Sequence, residues 1–446
     1  MSVERWTDEQ VSAKKLAEPL KYAFSGQTAS NRFLKAAMTE RLSSWDPKDI
    51  SKRGVPSEGL INVYKRWGEG GYGQILTGNI MIHPEHLEAA GNPIIPKDAP
   101  FEGERFEAFK KLATEAKKKG SLITGQLSHP GRQTPENLQP HPVSASNVQL
   151  EGNAMGSFGK PTALSKDGIK EIVDSFAHAA EYLHKAGYDG AQLHGAHGYL
   201  LAQFLSPTTN QRTDNYGGSL ENRARIIYEI AEAIQSRVPD TFSLSIKLNS
   251  VEFQEKGFST EDCKDLCAQL EKHRFDWVEL SGGTYQSLAF SHKRESTKKR
   301  EAFFLEFCDI IVPALSKTKV YVTGGLRSTS AMVEALKTVH GIGLARPACW
   351  EFDIPNKLLS EKASAAMQTK LDEQDFGTTN VAAGTMIRQV SKDQEPIPLS
   401  DEKYAGVFKK SMEEWGAKMQ SNEGGYMYGY VDLKGFEPKP YGQVYG

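Results

Sequence analysis

The feature that most constrains the fold is a regular alternation of short apolar segments with longer amphipathic ones. Eight segments are short, apolar and bounded by glycine or polar residues, which is typical of buried parallel strands. They lie near residues 31–38, 73–80, 121–127, 188–194, 242–248, 275–281, 318–323 and 341–345. Stretches of helical period lie between them, at 104–119, 166–186, 220–237, 260–273 and 328–338. Eight strand–helix units predict an α/β protein with a (β/α)8 TIM barrel, with a doubly wound sheet as the second choice.

Serines mark the start of three of the predicted helices. Ser165, Ser219 and Ser259 each precede a segment with an acidic residue in its first turn. A serine side chain accepts a hydrogen bond from the exposed backbone N–H groups of a helix start, and an acid there interacts favourably with the helix dipole. These caps support the division into strand–helix units.

The barrel pattern does not extend over the whole chain of 446 residues. Residues 1–30 are predicted to form a charged leader and a segment that caps the barrel bottom, and residues 31–365 to form the barrel. From 366 to 446 the pattern changes to a helix near 402–419 and a tail rich in glycine and tyrosine. This C-terminal extension is expected to pack on the barrel or on a neighbouring subunit.

Charge and hydropathy exclude several classes of partner. The chain has 54 basic and 56 acidic residues and a net charge of −2, so no long-range attraction to nucleic acid or to anionic membranes is expected. No run approaches 18 apolar residues, and the N-terminus lacks the apolar stretch of a signal peptide. A soluble, cytoplasmic protein with a small-molecule partner is expected.

The four cysteines are Cys263, Cys267, Cys308 and Cys349, and only the first two are close in sequence. Their spacing, on a predicted helix, fits neither a disulfide framework nor a zinc knuckle. Reduced, buried thiols are expected.

The segment after the fourth predicted strand combines two imidazoles with a phenol. Its sequence is LHGAHGYLLAQ, so His194 stands at the carboxyl end of a buried strand, with His197 and Tyr199 close behind. In βα barrels that end is the catalytic rim. These groups suit a carbonyl that gains negative charge while a neighbouring carbon takes up a proton.

Two other interpretations of the histidines compete with this one. A single histidine at a strand end is most often a structural residue, and paired histidines in barrels can bind zinc. A zinc site of that kind needs three or four ligands, usually with a His-x-His pair on the first strand, and residues 31–38 contain no histidine. No metal is therefore expected.

The residues after the histidine pair carry a specific resemblance. The pattern His-x-x-His-x-Tyr followed by FLSPTTNQRTDNYGGSLENRAR closely resembles the Old Yellow Enzyme family of FMN-dependent ene-reductases, and matches cover roughly residues 30–360. The resemblance implies FMN as cofactor, NAD(P)H as reductant and an α,β-unsaturated carbonyl or a quinone as substrate. His194 and His197 would then hydrogen-bond the carbonyl oxygen, and Tyr199 would protonate the α-carbon while hydride from the flavin reaches the β-carbon. The resemblance also allows a homodimer or larger homo-oligomer.

Two alternatives stay open from the sequence. One is a flavin enzyme that works as a desaturase or double-bond isomerase in a biosynthetic pathway. The other is a ligand-binding barrel that has lost its chemistry, and the intact histidines and tyrosine argue against it.

The loops after the last two strands are predicted to hold the cofactor phosphate. Glycines let a backbone approach phosphate, an arginine supplies a planar cation, and barrels commonly bind phosphate at these loops. The residues concerned are Gly324 and Gly325 after the seventh strand and Ala345 and Arg346 after the eighth. Along the flavin ring, the resemblance points to Ala37, Met38, Thr39, Gly78, Gln126, His194 and Lys247. It gives Thr39 a hydrogen bond near the O4/N5 edge and Gln126 contacts with the pyrimidine edge.

Four positions depart from the usual pattern of the family. Ala345 stands where glycine is usual, which predicts a shifted loop, and Lys247 stands where arginine is usual. The ammonium group of Lys247 would therefore lie beside the flavin N1/O2 edge, where an arginine could form two parallel hydrogen bonds. Ser128 follows the third strand where tryptophan is common, and Arg41 lies where some relatives have an aromatic residue. Both are predicted to contact substrate in a pocket wide enough for bulky or polar enones.

Overall fold

The computed structural model describes residues 3–151, 156–250, 257–281 and 305–445, and its centre is a closed barrel of eight parallel strands. In chain order the strands are β1 (Phe33–Lys35), β2 (Gln74–Met81), β3 (Leu122–Ser128), β4 (Gly190–Gly195), β5 (Ser243–Asn249), β6 (Trp277–Ser281), β7 (Lys319–Thr323) and β8 (Gly341–Leu344). Each strand pairs with the next in sequence, and β8 closes the ring by pairing with β1, with Ile342 opposite Phe33. The predicted (β/α)8 barrel is confirmed.

Helices alternate with these strands and continue into the C-terminal extension. They are α1 (Glu58–Glu69), α2 (Gly103–Lys117), α3 (Lys166–Lys185), α4 (Leu200–Leu205), α5 (Leu220–Gln235), α6 (Thr260–Lys272), α7 (Leu305–Ile311), α8 (Thr329–Ala335), α9 (Pro347–Trp350), α10 (Ile354–Leu359), α11 (Phe376–Ser391) and α12 (Glu402–Gln420). The predicted caps of Ser165, Ser219 and Ser259 are confirmed, since each side chain accepts a backbone N–H three residues further on. Within the described residues, no helix has the length and apolar character needed to cross a membrane.

Amphipathic spacing explains how a helix such as α3 packs on the barrel. Ile169, Ile172, Phe176 and Leu183 are buried and recur at helical spacing along one face. Burial of each such side chain stabilises the fold by about 1.5–3 kcal/mol.

A small hairpin covers the bottom of the barrel. Its strands, Leu20–Lys21 and Thr28–Ala29, are antiparallel. Tyr22 projects from it into an aromatic cluster, where its hydroxyl lies 2.9 Å from the hydroxyl of Tyr321. The Asp276 carboxylate accepts the backbone N–H groups that follow the hairpin's first strand. The hairpin closes the bottom of the barrel, so the carboxyl ends of the strands form its open end.

The C-terminal extension packs on its own barrel. Helix α11 lies against α1 and α9, and Asn62 in α1 donates to the carbonyl of Val390 at 2.8 Å. The N-terminal residues join the same region, because the N–H of Trp6 donates to the carbonyl of Ala366 at 3.2 Å. Both ends of the chain therefore reach the open end of the barrel.

All four cysteines are free and buried, as expected. A side-chain hydrogen bond with Cys267 and burial raise the pKa of Cys263, and burial raises the pKa of Cys308 and of Cys349 to about 12. Because only the thiolate reacts with disulfide reagents, we predict that Ellman's reagent labels the native protein very slowly. Four equivalents should react once guanidinium unfolds the chain, and rapid labelling of the native protein would contradict the burial.

Candidate active site

The carboxyl ends of the strands open into a cavity of about 780 Å³. All but one of the predicted site residues line it, namely Ala37, Met38, Thr39, Arg41, Gly78, Gln126, His194, His197, Tyr199, Lys247, Gly324, Gly325, Ala345 and Arg346. Residues more than 300 positions apart in sequence thus line one cavity. It lies at the end of the barrel where βα-barrel enzymes have their active sites.

Ser128 is the exception, and its predicted contact with substrate is wrong. Strand β3 extends to Ser128, which is fully buried and does not line the cavity. Its hydroxyl lies 3.5 Å from Nδ1 of His194, on the side of that ring away from His197. Ser128 therefore contacts a histidine of the site and lies outside the cavity lining.

A bulge in β2 shapes the cavity floor. Leu76 pairs with Thr124 and Asn79 with Gln126, so β2 has one extra residue between these pairs. The hydroxyl of Thr77 accepts the N–H of Gln126 at 2.9 Å, which replaces a lost ladder bond. Gly78 is required here, because a Cβ would lie 2.4 Å from the carbonyl oxygen of Met38. The bulge re-aims Asn79 toward the histidine pair.

The two histidines follow β4 and contact each other. Nε2 of His194 lies 3.1 Å from Nδ1 of His197, and Nε2 of His197 lies 3.2 Å from the hydroxyl of Ser281. His197 has a positive φ of 57°, an uncommon conformation for a residue with a side chain. The amide oxygen of Asn249, which accepts the His197 N–H at 3.1 Å, helps to hold it.

Both rings are neutral near pH 7. Burial lowers the pKa of His194 well below its usual value, with further contributions from His197 and Lys247. Burial and then Lys247 lower the pKa of His197 in the same direction. Neutral imidazoles suit hydrogen bonding to a substrate oxygen without placing a fixed charge there.

Tyr199 stands at the start of α4 with its side chain in the cavity. The phenol ring packs edge-on against His194, with 4.6 Å between ring centroids, and the residue is 4% exposed. The predicted catalytic residues His194, His197 and Tyr199 are thus brought together on one wall.

Lys247 forms a buried ion pair that the sequence did not indicate. Its ammonium lies 2.9 Å from the carboxylate of Glu279 on β6, and the two side chains are 5% and 0% exposed. Gln192 and Thr323 also donate to Glu279, at 3.1 and 2.7 Å. Gln126 donates to Gln192 at 2.7 Å, which joins it to the same network. Lys247 therefore enters the cavity as part of a neutral pair.

The predicted phosphate loops lie together at one end of the cavity. Gly324 and Gly325 have positive φ values of 146° and 76°, conformations that favour glycine. Ala345 is not among the residues with positive φ, so alanine fits here without strain. Nη1 of Arg346 donates to the hydroxyl of Thr379 in α11 at 2.5 Å. The extension thus helps to orient the cation at this end.

A segment of the C-terminal tail, residues 422–430, covers the cavity. Asn422, Gly424, Gly425, Met427, Tyr428 and Gly429 are among the residues that line it. Trp45 donates to the carbonyl of Gly425 at 2.8 Å, and the guanidinium of Arg41 lies 4.6 Å above the ring of Tyr430. Arg41 therefore contacts the tail as well as the cavity. The tyrosine-rich composition of the tail was the available signal for this contact.

Thr39 and Glu88 form a polar group at the cavity floor. The Thr39 hydroxyl donates to the Glu88 carboxylate at 2.8 Å, and Glu88 also lines the cavity. Within the described part of the chain, no group of three or more His, Cys, Asp or Glu side chains could hold a metal ion.

Comparison with known proteins shows to which family the chain belongs. Residues 15–363 match the family described as NADH:flavin oxidoreductase / NADH oxidase. The chain belongs to this family. It is 48% identical over 410 residues to the NADH-dependent flavin oxidoreductase nadA of Aspergillus parasiticus, covering 91% of this chain and 92% of that one. The flavin oxidoreductase iccE of Talaromyces variabilis is 36% identical over 348 residues, which cover 72% of this chain and 81% of that protein.

Solved structures agree on the fold. The Old Yellow Enzyme homologue of Zymomonas mobilis superposes with a TM-score of 0.63 at 21% identity, over 81% of this chain and 99% of that one. Morphinone reductase in complex with tetrahydroNAD superposes with a TM-score of 0.61 at 23% identity, over 78% of this chain and 91% of that one. The resemblance to the Old Yellow Enzyme family is confirmed, and the chain is an oxidoreductase that uses FMN and a nicotinamide reductant.

The cavity fits FMN. The glycines at positive φ and the Arg346 cation would form a cradle for the phosphate. Lys247 and Gln126 line the same cavity and would serve as polar partners for the ring edge.

Arg346→Ala is expected to weaken FMN binding by about 10- to 100-fold, as typical for loss of a hydrogen bond to a charged group. The dissociation constant follows from quenching of free FMN fluorescence by apoprotein. Arg327→Ala is the comparison, since Arg327 also lines the cavity but pairs with Glu373 at 3.1 Å. Equal loss in both variants would show that Arg346 has no special part in holding the phosphate.

Proposed function

We propose that this enzyme reduces the activated C=C bond of α,β-unsaturated carbonyl compounds, with NADH as the reductant. The observation that supports this most directly is the grouping of His194, His197 and Tyr199 on one wall of the flavin cavity. The relatives named NADH-dependent flavin oxidoreductases support the choice of nicotinamide.

In this proposal each side chain acts on the substrate at a stated atom. Bound FMN supplies the chemistry of accepting hydride from NADH and passing it to the β-carbon. The histidine pair binds the carbonyl oxygen and orients the substrate. Tyr199 delivers its phenolic proton to the α-carbon, because a phenol is a weak acid that carries its proton at neutral pH. The tail segment 422–430 and Trp45 exclude water from above.

The cavity walls support a substrate with an apolar body. The cavity of about 780 Å³, which the substrate would share with FMN, is lined in part by apolar and aromatic groups such as Trp45, Leu138 and Phe158. We therefore propose a ring-containing enone as the preferred substrate.

The experiment that tests this function follows the flavin spectrum of the purified enzyme without oxygen. NADH should bleach the flavin, and cyclohex-2-enone should restore it with one equivalent of cyclohexanone formed. Restoration by quinones or oxygen alone would refute enone reduction. Conversion of a substrate without NADH consumption would indicate a desaturase or isomerase instead.

A further inference from the structure

A buried carboxylate behind the cavity wall, that of Glu279 in β6, has no part in the steps above. Glu279 is fully buried and is not among the residues that line the cavity, whereas its partner Lys247 is. The ammonium of Lys247 donates to Oε1 of Glu279 at 2.9 Å. The ion pair therefore places its cation in the wall of the flavin cavity and its anion behind that wall.

The barrel fixes the geometry of this pair. Lys247 on β5 lies directly opposite Glu279 on β6, so both side chains project from the same face of the sheet. Thr323 on β7 donates to the same Oε1 at 2.7 Å, and Gln192 on β4 donates to Oε2 at 3.1 Å. Donors from three strands therefore hold the carboxylate in one position, and the carboxylate in turn holds the ammonium.

The charge of Lys247 matters to the cofactor because the flavin changes its charge during the reaction. Transfer of a hydride from NADH adds two electrons and one proton to the flavin, which gains one negative charge. An unpaired ammonium in the cavity wall would stabilise that charge and so raise the reduction potential. A carboxylate 2.9 Å from the ammonium opposes this effect, and water screens the two groups little, since they are 5% and 0% exposed.

We infer that Glu279 is a positioning residue that acts through Lys247 and lowers the reduction potential of the bound flavin. It keeps the ammonium in the cavity wall and offsets its charge. The flavin is then a weaker acceptor of hydride from NADH and, once reduced, a stronger donor of hydride to the second substrate. This role goes beyond the proposed function, because it holds for any hydride acceptor.

The midpoint potential of the FMN-loaded enzyme tests this role directly. It is measured without oxygen, by equilibrating the flavin with a reference dye during slow reduction. Glu279→Gln removes the negative charge and leaves Lys247 in place, so reduced flavin should gain about tenfold in affinity relative to oxidised flavin. For a two-electron couple this is a rise of about 30 mV. An unchanged or lower potential would overturn the inference.

Lys247→Met breaks the same ion pair from the other side. It leaves the Glu279 carboxylate without its cation, so the potential should fall below that of the wild type. Shifts of opposite sign in two variants that lose the same contact distinguish an effect of charge from a loss of structure. Shifts of the same sign would refute the role, and either variant alone still tests its own sign if the other does not fold.

Two further variants test whether the charge is the cause. Glu279→Asp keeps the charge and should keep a potential close to that of the wild type. Glu279→Gln also places a new amide against Gln192, whose own amide oxygen accepts a hydrogen bond from Gln126 at 2.7 Å. Gln192→Met is the matched control, because it cuts this link and leaves both charges in place. A shift in either variant as large as that in Glu279→Gln would assign the effect to the amides and contradict the inference.

Stopped-flow absorbance of the flavin supplies a second measurement. In Glu279→Gln, reduction by NADH should become faster and reoxidation by benzoquinone slower. Equal slowing of both steps would show that Glu279 serves only the structure. Neither the potential nor the reaction with quinone requires an enone. Failure of enone reduction would therefore remove the proposed function and leave this inference in place.

Discussion

Replacing Tyr199 with phenylalanine is expected to slow reoxidation of the reduced enzyme by an enone by about 10²- to 10⁴-fold, the range typical for loss of a general acid. The ring is nearly buried against His194, so removal of the hydroxyl leaves the packing in place. The reaction with NADH needs no proton from the phenol and should keep its rate. Stopped-flow absorbance of the flavin measures the two half-reactions separately.

A quinone is the matched substrate for this experiment, because its reduction places no proton on carbon. Quinone turnover should therefore survive in Tyr199→Phe. Equal slowing of quinone and enone would remove Tyr199 from the role of proton donor. Tyr428, on the tail, is another phenol that lines the cavity, and a loss of enone turnover in Tyr428→Phe alone would assign the proton to it.

The barrel could be predicted from the sequence because short segments rich in apolar residues alternate with segments of helical period. Helix α11 was not predicted, and its composition explains why. It contains two glycines and three threonines, which are weak helix formers. Gly384 lies under the ring of Tyr430, where a Cβ would lie 2.3 Å from the ring. The helix is therefore stabilised by tertiary contact with the tail, which local sequence does not reveal.

Site residues could be predicted from the sequence where they lie at the end of a regular strand. They were missed where the strand is irregular. His194, Lys247 and Arg346 stand at strand ends, so the barrel alone brings them to one rim. Asn79 depends on the bulge in β2, which shifts the period of the strand and leaves no trace in the pattern of polar residues. Ser128 was misplaced for another reason, because β3 extends one residue further than predicted and Ser128 is fully buried.

Lys247→Met is expected to lower the free energy of unfolding by about 3–5 kcal/mol, the usual result of removing one partner from a buried ion pair. Glu279 is fully buried and would lose its only ion-pair partner among the described residues. Its charge would then be stabilised only by the neutral donors Gln192 and Thr323. Affinity for FMN should fall as well, since an unpaired carboxylate would then lie near the ring edge that Lys247 is predicted to face. Urea unfolding at a fixed FMN concentration measures the stability, and fluorescence titration measures the affinity.

The double variant Lys247→Met/Glu279→Gln separates these two effects. It removes both charges, and replacing a whole buried pair by neutral groups is often close to neutral for stability. Most of the lost unfolding free energy should return, because Gln192 and Thr323 can still bond to the new amide. Affinity for FMN should stay low if the ammonium itself stabilises the flavin edge, because the double variant does not restore it. Recovery of both stability and FMN affinity would show that Lys247 serves only to neutralise Glu279, and that the cofactor takes its electrostatic support from elsewhere in the cavity.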